Sequence, residues 1–421
     1  MAREYKDSGI EWIGQIPKEW KIVPFKAYFT TGKGLSFTKA DLTPQGHAVV
    51  SYGQVHSKVN TGTRLDNSLL RYIPDSITEN GESSRMNKGD FIFADTSEDL
   101  EGCGNCVYVD KDIELYAGYH SVTAKPKVQY DNKFFAYYFQ TPCWRSQIRS
   151  RVTGIKVYSI SQSIINKTFI FVPPLSTQQK IADYLDKVCD ELDEMVALQE
   201  TIIEELKAYK QSVITEAVTR GLNPNASMRN SGIDWIGEIP EHWQMKRLKF
   251  MCEIQTGNQD TQDAEQDGVY PFYVRSPKVE HSNNYSFEGE GILMAGDGVG
   301  AGRVFHHAFG KYAVHQRVYR LSSFDDIDTT FLFHYISNLF CKVMDMGSAQ
   351  STVPSVRLPM LQNFVVCIPS IEEQQHIATY LDAKCSEIES LIALKQAKIE
   401  ELKEYKKSVI YEYVTGKKEV Y

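Results

Sequence analysis

Repetition governs this chain. Residues Asp7–Trp20 read DSGIEWIGQIPKEW and residues Asn230–Trp243 read NSGIDWIGEIPEHW. A longer pair starts at Val172, VPPLSTQQKIADYLDKVCDELDEMVALQETIIEELKAYKQSVITEAVT, and at Ile368, IPSIEEQQHIATYLDAKCSEIESLIALKQAKIEELKEYKKSVIYEYVT. About half of the aligned positions in that pair are identical, far above chance for segments of this length. The two pairs are offset by 223 and 196 residues, so the first half carries about 27 residues more between its repeats. The order is therefore variable, constant, variable, constant. The constant parts serve one task twice, and the variable parts serve something that differs between the halves.

The long repeats predict helices. Ile181, Leu185, Cys189, Leu192, Val196, Ile203, Leu206 and Val213 recur at spacings of three, four and seven, and are matched by Ile377, Leu381, Cys385, Ile388, Ile392, Ile399, Leu402 and Val409. Pro173, Pro174 and Pro369 mark where these helices begin, and Ser176 with Gln179 suggests a capping box on the first. At 1.5 Å per residue each helix spans roughly 60–68 Å. Neither can bury its stripe alone. Pairing the two antiparallel within one chain is favoured over self-association, because the second copy is already tethered nearby. Val218, Tyr413 and Val414, near the helix ends, are then expected to face other proteins.

Composition sets the class. The chain has 421 residues, too many for one ordinary core, with 42% hydrophobic residues. No apolar run reaches the roughly 18 residues of a membrane span, and the opening does not resemble a signal peptide, so a cytoplasmic protein with no membrane partner is expected. Cys103 and Cys106 form a lone C-x-x-C without a second ligand pair, which favours a loop over a metal site. The net charge of −8 divides into about +3 over residues 1–175, −5 over 176–222, −4 over 223–371 and −2 over 372–421. These four ranges are the expected domains: a globular part, a helix, a globular part, a helix. Most of the acid lies on the helices, so charge alone neither suggests nor forbids a nucleic-acid partner.

Both variable regions read as mixed α/β (α+β) domains. Candidate strands are Ala48–Tyr52, Asp90–Ala94, Cys106–Val109, Ser121–Lys125 and Lys167–Val172, then Val269–Val274, Gly291–Ala295, Arg303–His306, Val318–Leu321 and Asn363–Ile368. A helical stretch Asn132–Arg149 matches Asp328–Met344. Weaker parallels join GDFIFADTSEDLEGCGNCVYV to GEGILMAGDGVGAGRVFHH, and AGYHSVTAKPK to YAVHQRVYRLS. The glycines of GDGVGAG lack the Lys-Ser/Thr of a P-loop and the spacing of a dinucleotide fingerprint, so they are read as turn glycines. Trp12, Trp20, Trp235 and Trp243 are duplicated and so belong to the shared scaffold.

The paired SGIEWIGQIPKEW and SGIDWIGEIPEHW openings, the PPLSTQQKIADYLD and PSIEEQQHIATYLD helix starts, and the EELKAYKQSVI and EELKEYKKSVI helix ends resemble the specificity subunit of type I restriction-modification systems. The resemblance covers nearly the whole chain. It implies two target-recognition domains separated by two antiparallel helices in a coiled coil, with pseudo-twofold internal symmetry. Each domain would read one half of a split, asymmetric site on double-stranded DNA. The helices would set the spacing and dock two methylation subunits, and two restriction subunits would join. S-adenosylmethionine, ATP and Mg²⁺ would be bound by those partners and no cofactor by this chain. The absence of Asn-Pro-Pro-Tyr, Asp-Pro-Pro-Tyr and P-loop motifs agrees with a non-catalytic role. Two reading modules separated by about one turn of duplex, roughly 10.5 bp, leave an unread gap of roughly 7 bp.

Base edges are read by exposed Arg, Lys, Asn, Gln, Ser or Thr. The polar loops before the last strand of each domain supply Thr153, Lys156, Tyr158, Ser159, Ser161 and Gln162 in the first half, and Gln350, Ser351, Thr352, Ser355 and Arg357 in the second. Arg145, Arg149 and Arg151 suit phosphates. His120, His315, Gln316 and Arg317 sit at matching places and either face DNA or are satisfied strand residues. A stand-alone methyltransferase or nuclease lacks its motifs here. A tandem protein-interaction scaffold without DNA specificity is the alternative that fits the duplicated helices.

Overall fold

The computed structural model describes residues 4–10, 13–79, 81–127, 131–347 and 354–420. The chain forms two compact units, Met1–Leu198 with Lys398–Tyr421, and Gln199–Ala397. Each long helix, Leu175–Arg220 and Ile371–Val414, is shared between them.

The two units have the same sheet topology. In the first, an antiparallel sheet has the order Cys106–Tyr108, Phe91–Ala94, Ser121–Pro126, Phe29–Lys33. In the second the order is Phe305–Ala308, Gly291–Ala295, Val318–Ser322, Glu253–Thr256, again antiparallel. A further sheet contains one parallel pair in each unit: His47–Val50 with Leu115–Ala117, and Tyr270–Tyr273 with Lys311–Val314. A ribbon closes each domain, Lys21–Pro24 on Phe169–Val172 and Gln244–Arg247 on Val365–Ile368. All ten expected strands are present within a few residues. Phe29–Lys33, Leu115–Ala117, Glu253–Thr256 and Lys311–Val314 are additional. They are short and carry no apolar alternation long enough to announce them.

About half of the length difference between the halves, 14 of some 27 residues, falls in one place. Residues 51–70 separate His47–Val50 from Arg71–Ile73, where only 274–279 separate Tyr270–Tyr273 from Glu280–Ser282. The longer segment brings Arg64 to the first long helix, with Nη2 2.8 Å from Asp190 Oδ2. The expected helix 132–149 is two helices, Asn132–Tyr138 and Pro142–Arg149, whereas the second unit has one, Thr329–Gly347. Pro142 forces Thr141 out of the α region, to φ −89° and ψ 152°.

Aromatic rings fill the first core: Phe25 stacks on Phe29 at 4.7 Å and Phe139 meets Trp144 at 4.5 Å. The helix stripes are covered as their pattern requires. Ile181, Leu185 and Cys189 join the first core together with Val409, Ile410 and Val414, while Ile377, Leu381 and Cys385 join the second with Ile214, Ala217 and Val218. Within the first unit the helices run antiparallel, Tyr184 against Tyr413 and Asp193 against Lys406. Within the second, Lys210 pairs with Glu389.

Two expectations about helix ends are corrected. Val218 and Val414 do not face outward; both are fully buried, and Tyr413 rests on Tyr184. The cause is the shorter repeat, which covers the helix C-termini. Gly221 closes the first long helix with φ +74°, and a Cβ there would stand 3.2 Å from Trp243; Gly416 closes the second with φ +71° and would strike Pro17 at 2.5 Å and Trp20 at 3.1 Å. The first long helix begins at Leu175, so Ser176 lies inside its first turn rather than capping it. Instead Gln178 Nε2 donates back to Pro173 O at 2.8 Å, and Gln374 does the same to Pro369 O at 3.0 Å. Trp20 and Trp243 are buried, and Trp235 stacks on Phe364 at 5.6 Å; Trp12 lies outside the described residues. Cys103 and Cys106 are buried in the first core, where burial pushes the Cys106 thiol up to about 12. Among the described residues no helix is long and apolar enough to cross a membrane.

Candidate nucleic-acid interface

In each unit three segments meet at the end of the central strand. In the first, Phe91–Ala94 runs into Asp95 and Thr96. Asp95 N donates to His120 O at 3.1 Å, Ile160 N donates to Asp95 O at 2.7 Å, and Thr96 pairs with Ser159. The second unit repeats this knot: Gly296 N donates to Arg317 O at 2.8 Å, Val356 N to Gly296 O at 2.7 Å, and Asp297 bridges to Ser355. The loop before the last strand and the loop after the parallel strand, far apart in sequence, thus converge on one edge.

The knot also fixes the correspondence between the halves. Gly118 N donates to Val50 O as His315 N donates to Tyr273 O. The loop Gly118-Tyr119-His120 therefore matches His315-Gln316-Arg317 residue for residue, and His120 stands where Arg317 stands. Likewise Thr96 matches Asp297, Ser159 matches Ser355 and, two residues past the parallel strand, Tyr52 matches Arg275.

The side chains at the two edges differ in chemistry. In the first unit His120 has φ 53°, is 59% exposed, and holds Nδ1 3.3 Å from Asp95 Oδ1. Its ring meets those of Tyr52 and Tyr119 at 5.5 and 6.0 Å. Thr153 bridges to Ser159 and closes a loop that exposes Lys156, with Ile155 97% exposed at its tip. Tyr158 is half-buried against the core. Ser161 accepts from Ile164 N at 3.3 Å, and Gln162 accepts from the Thr31 hydroxyl at 3.5 Å.

In the second unit His315 is buried, Nδ1 accepting from Arg317 N at 2.9 Å and Nε2 3.5 Å from Asp260 Oδ1. Burial, with Arg275 adding to it, lowers the His315 pKa below its ordinary value. Gln316 Nε2 donates to Asp260 Oδ2 at 2.9 Å. Ser355 and Arg357 are exposed, Arg357 preceding the short helix Leu358–Gln362. Gln350, Ser351 and Thr352 lie outside the described residues.

Arg145, Arg149 and Arg151 hydrogen-bond elsewhere. Arg145 Nε donates to Phe139 O at 3.0 Å and its Nη2 to Gln140; Arg149 Nη2 donates to Glu101 O at 2.8 Å; Arg151 donates to Gln147 O. Arg145 and Arg149 line a cleft of about 530 Å³ with Glu404, Lys407 and Tyr411 of the second long helix. Sequence reading passed over Tyr52, Asp95, Tyr119, Arg275 and Asp297. Only the alignment of the GDFIFADT and GILMAGDG segments hinted at two of these.

The family model of the type I restriction modification DNA specificity domain matches residues 17–208 and 240–404. This chain belongs to the type I restriction-modification specificity subunit family. It is 25% identical to the MjaX specificity subunit assigned to a type I restriction enzyme of Methanocaldococcus jannaschii, over 96% of this chain and 95% of that one. It is 29% identical to the EcoDI specificity subunit of Escherichia coli over 41% of this chain and 38% of the other. The fold of this specificity subunit is shared with a chain solved in a study of type I system assembly, at TM-score 0.72 and 16% identity over 95% and 99% of the two chains. It is also shared with the HsdS subunit of Thermoanaerobacter tengcongensis, at TM-score 0.53 and 16% identity over 97% and 99%.

Proposed function

We propose that this specificity subunit reads a split, asymmetric site on double-stranded DNA, each unit contributing one half-site through the knot at the end of its central strand. One observation carries the reading: the same three backbone segments meet in both units, yet the side chains they present are unlike. A duplicated frame with unlike exposed residues suits two recognition events of the same geometry and different content. The loop around Lys156 and the segment through Ser355 and Arg357 flank the edges and suit base or phosphate contact.

On this reading the chain performs no chemistry. Two methylation subunits dock on it and use S-adenosylmethionine, and two restriction subunits supply ATP- and Mg²⁺-dependent cleavage. The long helices set the unread gap. The orientation of Arg145 and Arg149 toward the second long helix favours a role for that cleft in holding partners rather than phosphates. The first globular region, near +3, contributes more long-range attraction for DNA than the second, near −4.

Selection from a random duplex library by the chain assembled with its methylation subunits, at several salt concentrations, tests the reading. A split word should be enriched, with affinity falling as salt rises. Enrichment of no sequence at any salt would overturn it and favour the protein-interaction scaffold.

A further inference from the structure

The edge of the second unit holds two arginines on one carboxylate. Arg275 Nη1 donates to Asp297 Oδ1 at 3.0 Å, and Arg317 Nη1 stands 3.7 Å from Asp297 Oδ2. The carboxylate is largely covered, at 22% exposure, while the arginine side chains are 45% and 64% exposed. Both backbones are pinned: Gly296 N bonds Arg317 O, and Gly300 approaches Arg275 so closely that a Cβ would stand 2.5 Å from its carbonyl oxygen.

This is not a saturated ion pair. Each guanidinium has five N–H donors, and among the described residues Asp297 is the only hydrogen-bond or ion-pair partner of either side chain. Two guanidinium groups on one carboxylate leave one positive charge in excess within the Asp297 cluster itself, while the neighbouring Asp260 is engaged by Gln316 and His315. A carboxylate behind a guanidinium fixes its plane and removes rotamer freedom before binding, while the outward N–H groups stay open. Guanine offers O6 and N7 side by side in the major groove, the acceptor pair that an arginine fork fits. The matching positions of the first unit are Tyr52, Thr96 and His120, which cannot form such a fork.

We propose that Asp297 is a positioning residue that presents Arg275 and Arg317 to guanine in the half-site read by the second unit. The proposal rests on the reading of a split DNA site given above. It also assigns Tyr52, Thr96 and His120 as the first unit's corresponding positions, so the two words differ because these three places differ.

The test is the methylome of a host that carries this chain with its methylation subunits and no other adenine methylation. Wild type should give a split word with at least one G·C pair in the second unit's half. Arg275→Ala and Arg317→Ala should each weaken the preference for guanine at one such position by about 5- to 150-fold. Asp297→Asn should weaken the same positions less, and Asp297→Glu should restore part of the preference, which a purely structural role would not do. The first unit's word and the gap should stay unchanged, which shows that each variant folds and assembles. If a variant abolishes methylation, duplex selection by the same complex replaces the methylome. A second half-site without G·C, an unchanged word in both arginine variants, or uniformly weaker binding with the word intact would overturn the proposal. A wild-type methylome with no split word would instead overturn the underlying reading.

Discussion

The ends of the long helices and the ends of the central strands tell opposite stories about the two units. At the helices the two units repeat the same contacts. Gln178 and Gln374 reach back to Pro173 and Pro369; Gly221 meets Trp243 as Gly416 meets Trp20. Where residues differ, the role persists: Tyr137 donates to Asp186 at 2.6 Å, and His334 takes the same place against Asp382 at 2.8 Å. At the strand ends the backbone agrees and the side chains do not: the first unit has Tyr52, Thr96 and His120 at the positions that Arg275, Asp297 and Arg317 hold in the second. Close-packed contacts tolerate few residues, so the frame repeats. An edge open to a ligand is constrained by the ligand instead, so it diverges.

The largest effect that could break this comparison lies in the frame. Trp20→Ala and Trp243→Ala should each cost about 3–5 kcal/mol by urea denaturation, because both leave a buried cavity against a helix end. Equivalent frames require similar costs; a small effect at one would show that the two helix ends are not alike.

A pH dependence should separate the units. Burial lowers the pKa of His315 and of His306 from the ordinary value of 6.5. The unfolded chain then takes up protons near pH 6.5 while the folded form resists. Stability linked to these groups is complete above pH 6.5 and is lost as pH falls from there toward the lowered folded values. Hydrogen exchange at pH 7.5 and 5.5 should therefore show protection of the strands Tyr270–Tyr273 and Lys311–Val314 falling at the lower pH. Unchanged protection would mean that the burial of His315 exerts no control there.

Smaller effects sharpen the picture at the helices. Tyr137→Phe removes one hydrogen bond to Asp186 and should cost about 1 kcal/mol in thermal or urea melts. Arg64→Ala removes an exposed pair that has no counterpart among the described residues of the second unit, and should cost about 0–1 kcal/mol. A larger loss would mean that the long 51–70 segment anchors the first domain to its helix.

Much of this was legible in the sequence. The heptad-like stripe from Ile181 to Val213 marks buried positions at Ile181, Leu185, Cys189, Leu192 and Ile203 and half-buried ones at Val196, Leu206 and Val213, and β-branched and aromatic runs such as FIFA at Phe91 mark strands. The convergence of His120 with the Ser159 loop was not legible, because it depends on which strand lies beside Phe91–Ala94. Asp297 and Arg275 are 22 residues apart with three strands between them, and no local pattern joins them. The burial of Val218 and Val414 depends on a motif from elsewhere in the chain folding over the helix end, which helix periodicity cannot see. Matching His120 with His315 by identity needs a gap; the hydrogen bonds of Val50 and Tyr273 remove it.

The central claim is that one frame carries two unlike edges, and exchange of an edge tests it most directly. Replacing residues Gln244–Ile368 by Lys21–Val172, between matched ribbon strands, gives both units the first unit's edge. Mapped methylation should then fall on sites built from two copies of the word read by the first unit. Persistence of the original asymmetric site in that variant would contradict the account.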